Sequence, residues 1–251
     1  MRTRETAICL RATDYSETSQ VVRFLTRGSG AVSLIAKGSK RPKSTTGGAI
    51  DLFSEGDLVY SGRSTGALGT LMEFSETVTH AGIRADAGRL NTALYALEAT
   101  GDALAEADPH PEVFDLLHAT LGRLDQVDSR PPAVLAWFQW RLLRLVGLLG
   151  DLTHCVSCGV DILGGPAAQR RDVCFSSTQG GLLCGGCELT ATEKLRLDDA
   201  ALAGLAALAA AEAGRKASLG DNEARAANRV LAYHLAHQLG RPPRMARYVI
   251  D

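Results

Sequence analysis

Gln20-Val21-Val22-Arg23-Phe24-Leu25-Thr26-Arg27-Gly28-Ser29-Gly30-Ala31-Val32-Ser33-Leu34-Ile35-Ala36 is the stretch that decides the fold of the first part of the chain. Two runs rich in Val, Ile and Leu flank a Gly-Ser-Gly turn signal, the composition of two strands. Upstream, Ala7-Ile8-Cys9-Leu10-Arg11 has the same character, as do Asp57-Leu58-Val59-Tyr60 and Ala67-Leu68-Gly69-Thr70-Leu71 downstream. Five short strands within about eighty residues predict a small barrel. Of the common small barrels, the oligonucleotide-binding (OB) type has five strands, a partly open surface and loops that grip single strands.

After about residue 85 the period of the apolar residues changes from strand to helix. Leu90, Leu94, Leu97 and Leu104 make one stripe, and Val113, Phe114, Leu117, Leu121 and Leu124 a second, with Pro109 and Pro111 between them. A third helix is expected from Pro131-Pro132, a favoured first-turn position, to Gly150, with Val134, Trp137, Phe138, Leu145 and Leu149 inward. Two more are expected near 198–213 and 222–239, the latter with Val230, Leu231, Leu235 and Leu239. The fold class is therefore α+β: a five-stranded OB barrel at 1–80, then a helical domain at 81–251 with a cysteine-bearing insertion at about 151–190.

The chain has 251 residues, of which 45% are hydrophobic and 22% charged, enough for substantial cores. The stretches Leu142–Leu149 and Ala200–Ala211 are too short to span a bilayer, and Met1-Arg2-Thr3-Arg4-Glu5 lacks the apolar core of a secretory signal. A cytosolic protein with no membrane partner is expected. Net charge is −1, but its distribution is uneven: residues 1–50 carry nine Lys/Arg against three Asp/Glu, and 51–150 carry seven against fourteen. A basic head precedes an acidic middle.

In a reducing compartment, paired Cys-x-x-Cys spacings point to metal ligation before disulfides. Cys155-Val156-Ser157-Cys158-Gly159 and Cys184-Gly185-Gly186-Cys187 each present two thiols on a tight turn, and together they supply the four tetrahedral ligands that zinc prefers. A closed four-sulfur shell leaves no position for water or substrate, so one structural Zn2+ is expected. Free buried thiols or a redox pair are the weaker readings, and Cys174 could compete as a ligand. Cys9 and Cys174 otherwise read as strand or core residues.

Lys37-Gly38-Ser39-Lys40-Arg41-Pro42-Lys43-Ser44 packs four cations into eight residues, with serines available to phosphate oxygens. Such a loop suits an extended polyanion, held by phosphate contacts that give affinity without sequence choice. A solvated surface loop is the plain alternative. Arg11, Arg23 and Arg27, on or beside the expected strands, would extend the loop into a basic face. Tyr15, Phe24, Phe53, Tyr60 and Phe74 are the aromatic residues of this part, and most of them read as core.

No phosphate-binding Gly-x-x-x-x-Gly-Lys-Ser/Thr or dinucleotide Gly-x-Gly-x-x-Gly is present. His110-Pro111-Glu112 with a later cysteine pair imitates a zinc deaminase, but His154 and Leu183 stand where such an enzyme needs Pro before its cysteines. The chain therefore reads as a binding protein and not as an enzyme. A protein-binding scaffold, with the basic loop incidental, is the competing function.

Ala12-Thr13-Asp14-Tyr15-Ser16-Glu17-Thr18-Ser19, Thr26-Arg27-Gly28-Ser29-Gly30 and Ala36-Lys37-Gly38-Ser39-Lys40-Arg41-Pro42-Lys43-Ser44, in that order and spacing, resemble the N-terminal domain of the bacterial RecO family of recombination and repair proteins. Phe175-Ser176 and Gly180-Gly181-Leu182-Leu183 beside the cysteines resemble the zinc segment of many of its members, and Leu231 to Arg247 the C-terminal end. The resemblance implies an OB barrel, a helical domain and a four-cysteine zinc site. It also implies a mediator that binds single- and double-stranded DNA, anneals complementary strands, and acts with RecR and the single-strand DNA-binding protein to help load RecA. Arg225, Arg229, Arg241, Arg244 and Arg247 are the candidate cations for the acidic C-terminal tail of the single-strand DNA-binding protein. Where the family often carries a Lys-Ser-Arg-like run, this chain has Arg241-Pro242-Pro243-Arg244-Met245-Ala246-Arg247.

Overall fold

The computed structural model describes residues 2–41, 44, 46–62, 68–163, 172–215 and 218–250. The chain parts into two compact units, 1–129 and 130–251.

The first unit begins with five strands: β1 (Arg2–Asp14), β2 (Gln20–Thr26), β3 (Gly30–Ala36), β4 (Glu55–Ser61) and β5 (Gly69–Val78). They close in the order β1-β2-β3-β5-β4, antiparallel except for a short parallel contact of β3 with β5 at Leu34↔Gly69 and Ile35↔Thr70. Alternate residues point inward, as the two-residue period of a strand requires. Ala7 and Cys9, Val22 and Phe24, Leu34 and Ala36, and Leu58 and Tyr60 line one interior with Leu71 and Phe74. Phe24 and Phe74 meet there with ring centroids 5.2 Å apart.

The opposite face of β1 and β2 is not exposed. Ile8 and Leu25, paired in register, are both fully buried, because α1 (Ala87–Ala103) and α2 (Pro111–Asp125) pack on this side. That two-sided burial is why Ala7-Ile8-Cys9-Leu10 is continuously apolar and does not alternate. Strands give way to helices near residue 80, but the compact unit extends to Ser129 because these two helices cover the barrel wall.

The second unit holds α3 (Pro131–Leu145), a three-stranded sheet of β6 (Cys174–Ser176), β7 (Gly181–Leu183) and β8 (Leu195–Arg196), then α4 (Asp199–Glu212), α5 (Asp221–Leu239) and α6 (Ala246–Val249). Helix α3 differs from expectation in end and phase. It stops at Leu145, where Gly147 takes φ +72°, and it buries Leu135, Phe138, Gln139, Trp140, Leu142 and Leu143. Val134, Trp137 and Leu145 lie at the edge of that stripe. Trp140 is the buried indole, its Nε1 donating to Glu212 at 3.2 Å, while Trp137 faces the Arg141 guanidinium.

Helix α3 is joined to α5 by the buried amide pair Gln139 Nε2 to Asn228 Oδ1, 2.8 Å, and α4 approaches α5 closely at Gly204, where a Cβ would stand 2.3 Å from the Glu223 carbonyl oxygen. The cysteine segment lies between α3 and α4. Its sheet packs on α5 through Phe175, edge-on to His234 at 5.1 Å.

Candidate metal centre and nucleic-acid interface

The candidate metal centre is assembled by two backbone turns. In the first, the Cys155 N–H donates to the Val160 carbonyl (2.9 Å) and the Gly159 N–H to the Cys155 carbonyl (2.8 Å). Gly159 closes the turn at φ +74°, a conformation that favours glycine. In the second, the Cys187 N–H donates to the Cys184 carbonyl at 2.9 Å. A bond from the Val156 N–H to the Leu182 carbonyl, also 2.9 Å, clips the first turn to β7, which leads directly into the second.

The four sulfurs of Cys155, Cys158, Cys184 and Cys187 consequently lie within 4.8 Å of one another, and Cys158 Sγ is 3.7 Å from Cys184 Sγ. A tetrahedron with metal–sulfur bonds of about 2.3 Å has sulfur–sulfur edges of about 3.8 Å, so the cluster fits one ion. Burial pushes the Cys155 thiol up, but N–H groups of Cys184, Cys158 and Ser157, with the Cys158 thiol, outweigh it and bring Cys155 down to about 6. The first turn thus favours, at Cys155, the thiolate that metal binding requires. Cys174 does not join the cluster; it is buried in β6, its Sγ directed to the Asp172 carbonyl at 3.8 Å, and burial raises its thiol. Cys9 is a barrel-core residue.

The basic loop leaves β3 through Gly38, at φ +70°. It is anchored by Gln20, whose carboxamide accepts from the Ile50 N–H (2.9 Å) and the Ser39 hydroxyl (3.0 Å) and donates to the Ile50 carbonyl (3.1 Å). Ser39 is therefore buried and turned away from any phosphate, contrary to expectation. Lys37, Lys40 and Arg41 are exposed; Lys43 lies outside the described residues. Lys40 reaches Asp14 at 2.6 Å.

Beside the loop is a hollow of about 320 Å³ lined by Tyr15, Ser16, Thr18, Ser19, Ile35, Lys37, Gly38 and Arg41. Of the five aromatic residues in this part, Phe24, Phe53, Tyr60 and Phe74 are core, but Tyr15 is 66% exposed at the hollow's rim. Its place in a polar β1–β2 turn, Asp14-Tyr15-Ser16-Glu17, was the signal available in the sequence.

The three arginines expected to extend this face differ. Arg11 is exposed on β1, opposite Arg23 in register. Arg23 is turned onto the end of α1, donating to the carbonyls of Gly101 (2.9 Å) and Leu104 (3.4 Å), with Nε 3.3 Å from Glu106. Arg27 makes a two-pronged pair with Asp115 of α2, both contacts at 2.9 Å. That pair raises the arginine and lowers the Asp115 carboxyl.

In the second unit, Arg225 and Arg229 lie one turn apart on α5, Arg229 being 3.8 Å from Asp198. Arg241 and Arg244 are in the link to α6, and Arg247 on α6 sits over the Tyr248 ring at 4.7 Å. Among the described residues no helix is long and apolar enough to cross a membrane.

A family model described as Recombination protein O N terminal matches residues 1–78, and one described as Recombination protein O C terminal matches residues 84–247. The protein called DNA repair protein RecO in Anaeromyxobacter dehalogenans (strain 2CP-C) is 37% identical over 245 residues, 96% of this chain and 92% of that one. Its namesake in Myxococcus xanthus (strain DK1622) is 30% identical over 94% of this chain and 91% of its own length. That of Bacillus subtilis (strain 168) is 29% identical over 74% and 69%. The chain belongs to the RecO family.

Proposed function

We propose that this chain is a non-enzymatic recombination mediator in DNA repair. It binds single- and double-stranded DNA through its barrel, anneals complementary strands, and acts with RecR to help load RecA onto DNA coated by the single-strand DNA-binding protein. The observation that carries the reading is a hollow that presents Lys37, Arg41 and Tyr15 together, with Lys40 exposed in the same loop. Cations so placed neutralise successive phosphates, and an exposed ring offers one base a stacking surface. Five strands closed in the order 1-2-3-5-4 support the OB assignment, in which the loop joining the first two strands belongs to the binding surface. Tyr15 lies in that loop.

The metal is a single structural Zn2+ on Cys155, Cys158, Cys184 and Cys187. These soft thiolates fill the shell, and the ion would hold the two turns together and do no chemistry. Arg225, Arg229, Arg241, Arg244 and Arg247 form the surface for the acidic tail of the single-strand DNA-binding protein, and the protein works in the cytoplasm at the nucleoid.

The test is annealing of complementary oligonucleotides by the full chain, alongside Lys37→Ala/Lys40→Ala/Arg41→Ala. The triple variant is expected to lose most single-strand affinity at moderate salt and to show a salt dependence flatter by about 0.7 log units per lost phosphate contact. Unchanged binding and annealing would refute the assignment of the loop. Absence of binding by wild type at low salt would favour the protein scaffold.

A further inference from the structure

The two arginines withdrawn from the basic face are held by carboxylates that come from the acidic middle of the chain. Glu106, in the irregular segment between α1 and α2, takes Arg23 of β2 at 3.3 Å and accepts from the Ser33 hydroxyl of β3 at 2.9 Å. Asp115 of α2 takes Arg27, just past β2, in the two-pronged geometry that guanidinium also makes with phosphate. Two cations and one hydroxyl on the β2–β3 side are thus satisfied as a phosphodiester chain would satisfy them.

The cover is lightly fastened. Ala107 donates its N–H to the Ala31 carbonyl at 2.9 Å, where a parallel bridge of Ala31 with Glu106 replaces the pairing that β5 provides only further along β3. Ala107 holds φ +58°, which a residue with a Cβ seldom adopts. Beneath the segment lies a hollow of about 300 Å³, walled by Ser29, Val32, Ser33 and Leu34 on one side and Glu106 and Ala107 on the other. The Arg27–Asp115 side chains are more than half exposed, so water and salt screen the pair and a competing anion can reach it.

We propose that Glu106 and Asp115 form a displaceable anionic cover over Arg23 and Arg27, and that the phosphodiester backbone of bound DNA takes its place on the β2–β3 face. The inference rests on the DNA-binding reading above and adds to it a built-in competitor. Non-specific contact at the Lys37–Arg41 loop comes first, and the covered face joins when a strand tracks across it. Arg27 responds more than Arg23, because Arg23 keeps its two carbonyl partners when Glu106 is neutralised.

The experiment is fluorescence anisotropy of a labelled oligothymidylate across a NaCl series, with the full chain as wild type, Glu106→Gln, Asp115→Asn, the double variant, and Asp128→Asn as an equal charge change away from the cover. The cover predicts affinity raised about threefold to tenfold in Asp115→Asn, less in Glu106→Gln and most in the double variant, with a salt slope steeper by about 0.7 per freed cation. Asp128→Asn should match wild type. Unchanged affinity and slope in the double variant, or an equal gain in Asp128→Asn, overturns the cover while leaving the reading of the loop intact. If wild type and variants all fail to bind at low salt, the DNA-binding reading itself falls. Circular-dichroism melts establish that each variant is folded.

Discussion

At the scale of single residues, a buried polar group in the first unit is one to which the sequence gives no local clue. Glu55 opens β4 with its side chain only 4% exposed, and its two oxygens take His80 Nε2 at 2.7 Å and His118 Nδ1 at 2.6 Å. His80 is itself buried, at left-handed φ +48°, whereas His118 is open to solvent on α2. Removing the buried donor leaves one oxygen of that buried side chain without its partner. His80→Asn, which tolerates the backbone conformation, should cost about 3 kcal/mol by urea denaturation, and His118→Ala about 1 kcal/mol. His234 is the complementary case. Burial holds its imidazole below the ordinary value although its ring nitrogen donates to the Leu148 carbonyl at 2.7 Å. The unfolded chain therefore binds a proton that the folded chain refuses, so this contribution is complete above about pH 6.5 and declines as the pH falls below it. The midpoint of unfolding of the second unit should drop on acidification toward about pH 5, and the drop should be shallower in His234→Asn.

Elements explain what was legible. The cysteine module is readable because four cysteines in two Cys-x-x-Cys turns state their geometry locally, and the structure adds only the β7 clip that brings the turns together. Cys184→Ser should lose bound metal and lower the thermal midpoint, while Cys174→Ala should retain about one equivalent by elemental analysis. The strands were readable from composition, and their closing order was not, because pairing of β3 with β5 joins residues far apart in the chain. Helix α3 shows the limit of a periodic reading. Two tryptophans three residues apart offer the same apolar signal, and only packing against α4 and α5 selects Trp140. Arg23 and Arg27 show a similar limit: cationic character is visible in sequence, but carboxylate partners more than eighty positions away are not.

At the scale of the molecule, each compact unit has its own core, and the four-cysteine cluster lies in the second. Chelation should therefore lower the unfolding midpoint of residues 130–251 and leave the barrel transition in place, as differential scanning calorimetry would show by two separable endotherms. The two-sided burial of β1 and β2 carries a practical consequence for anyone who wants the barrel by itself. Cutting the gene where strands give way to helices, near residue 80, would strip α1 and α2 from Ile8, Leu10 and Leu25 and leave an oily stripe along two neighbouring strands. Such a fragment should precipitate or self-associate during expression. One ending at residue 129 should stay monodisperse in gel filtration.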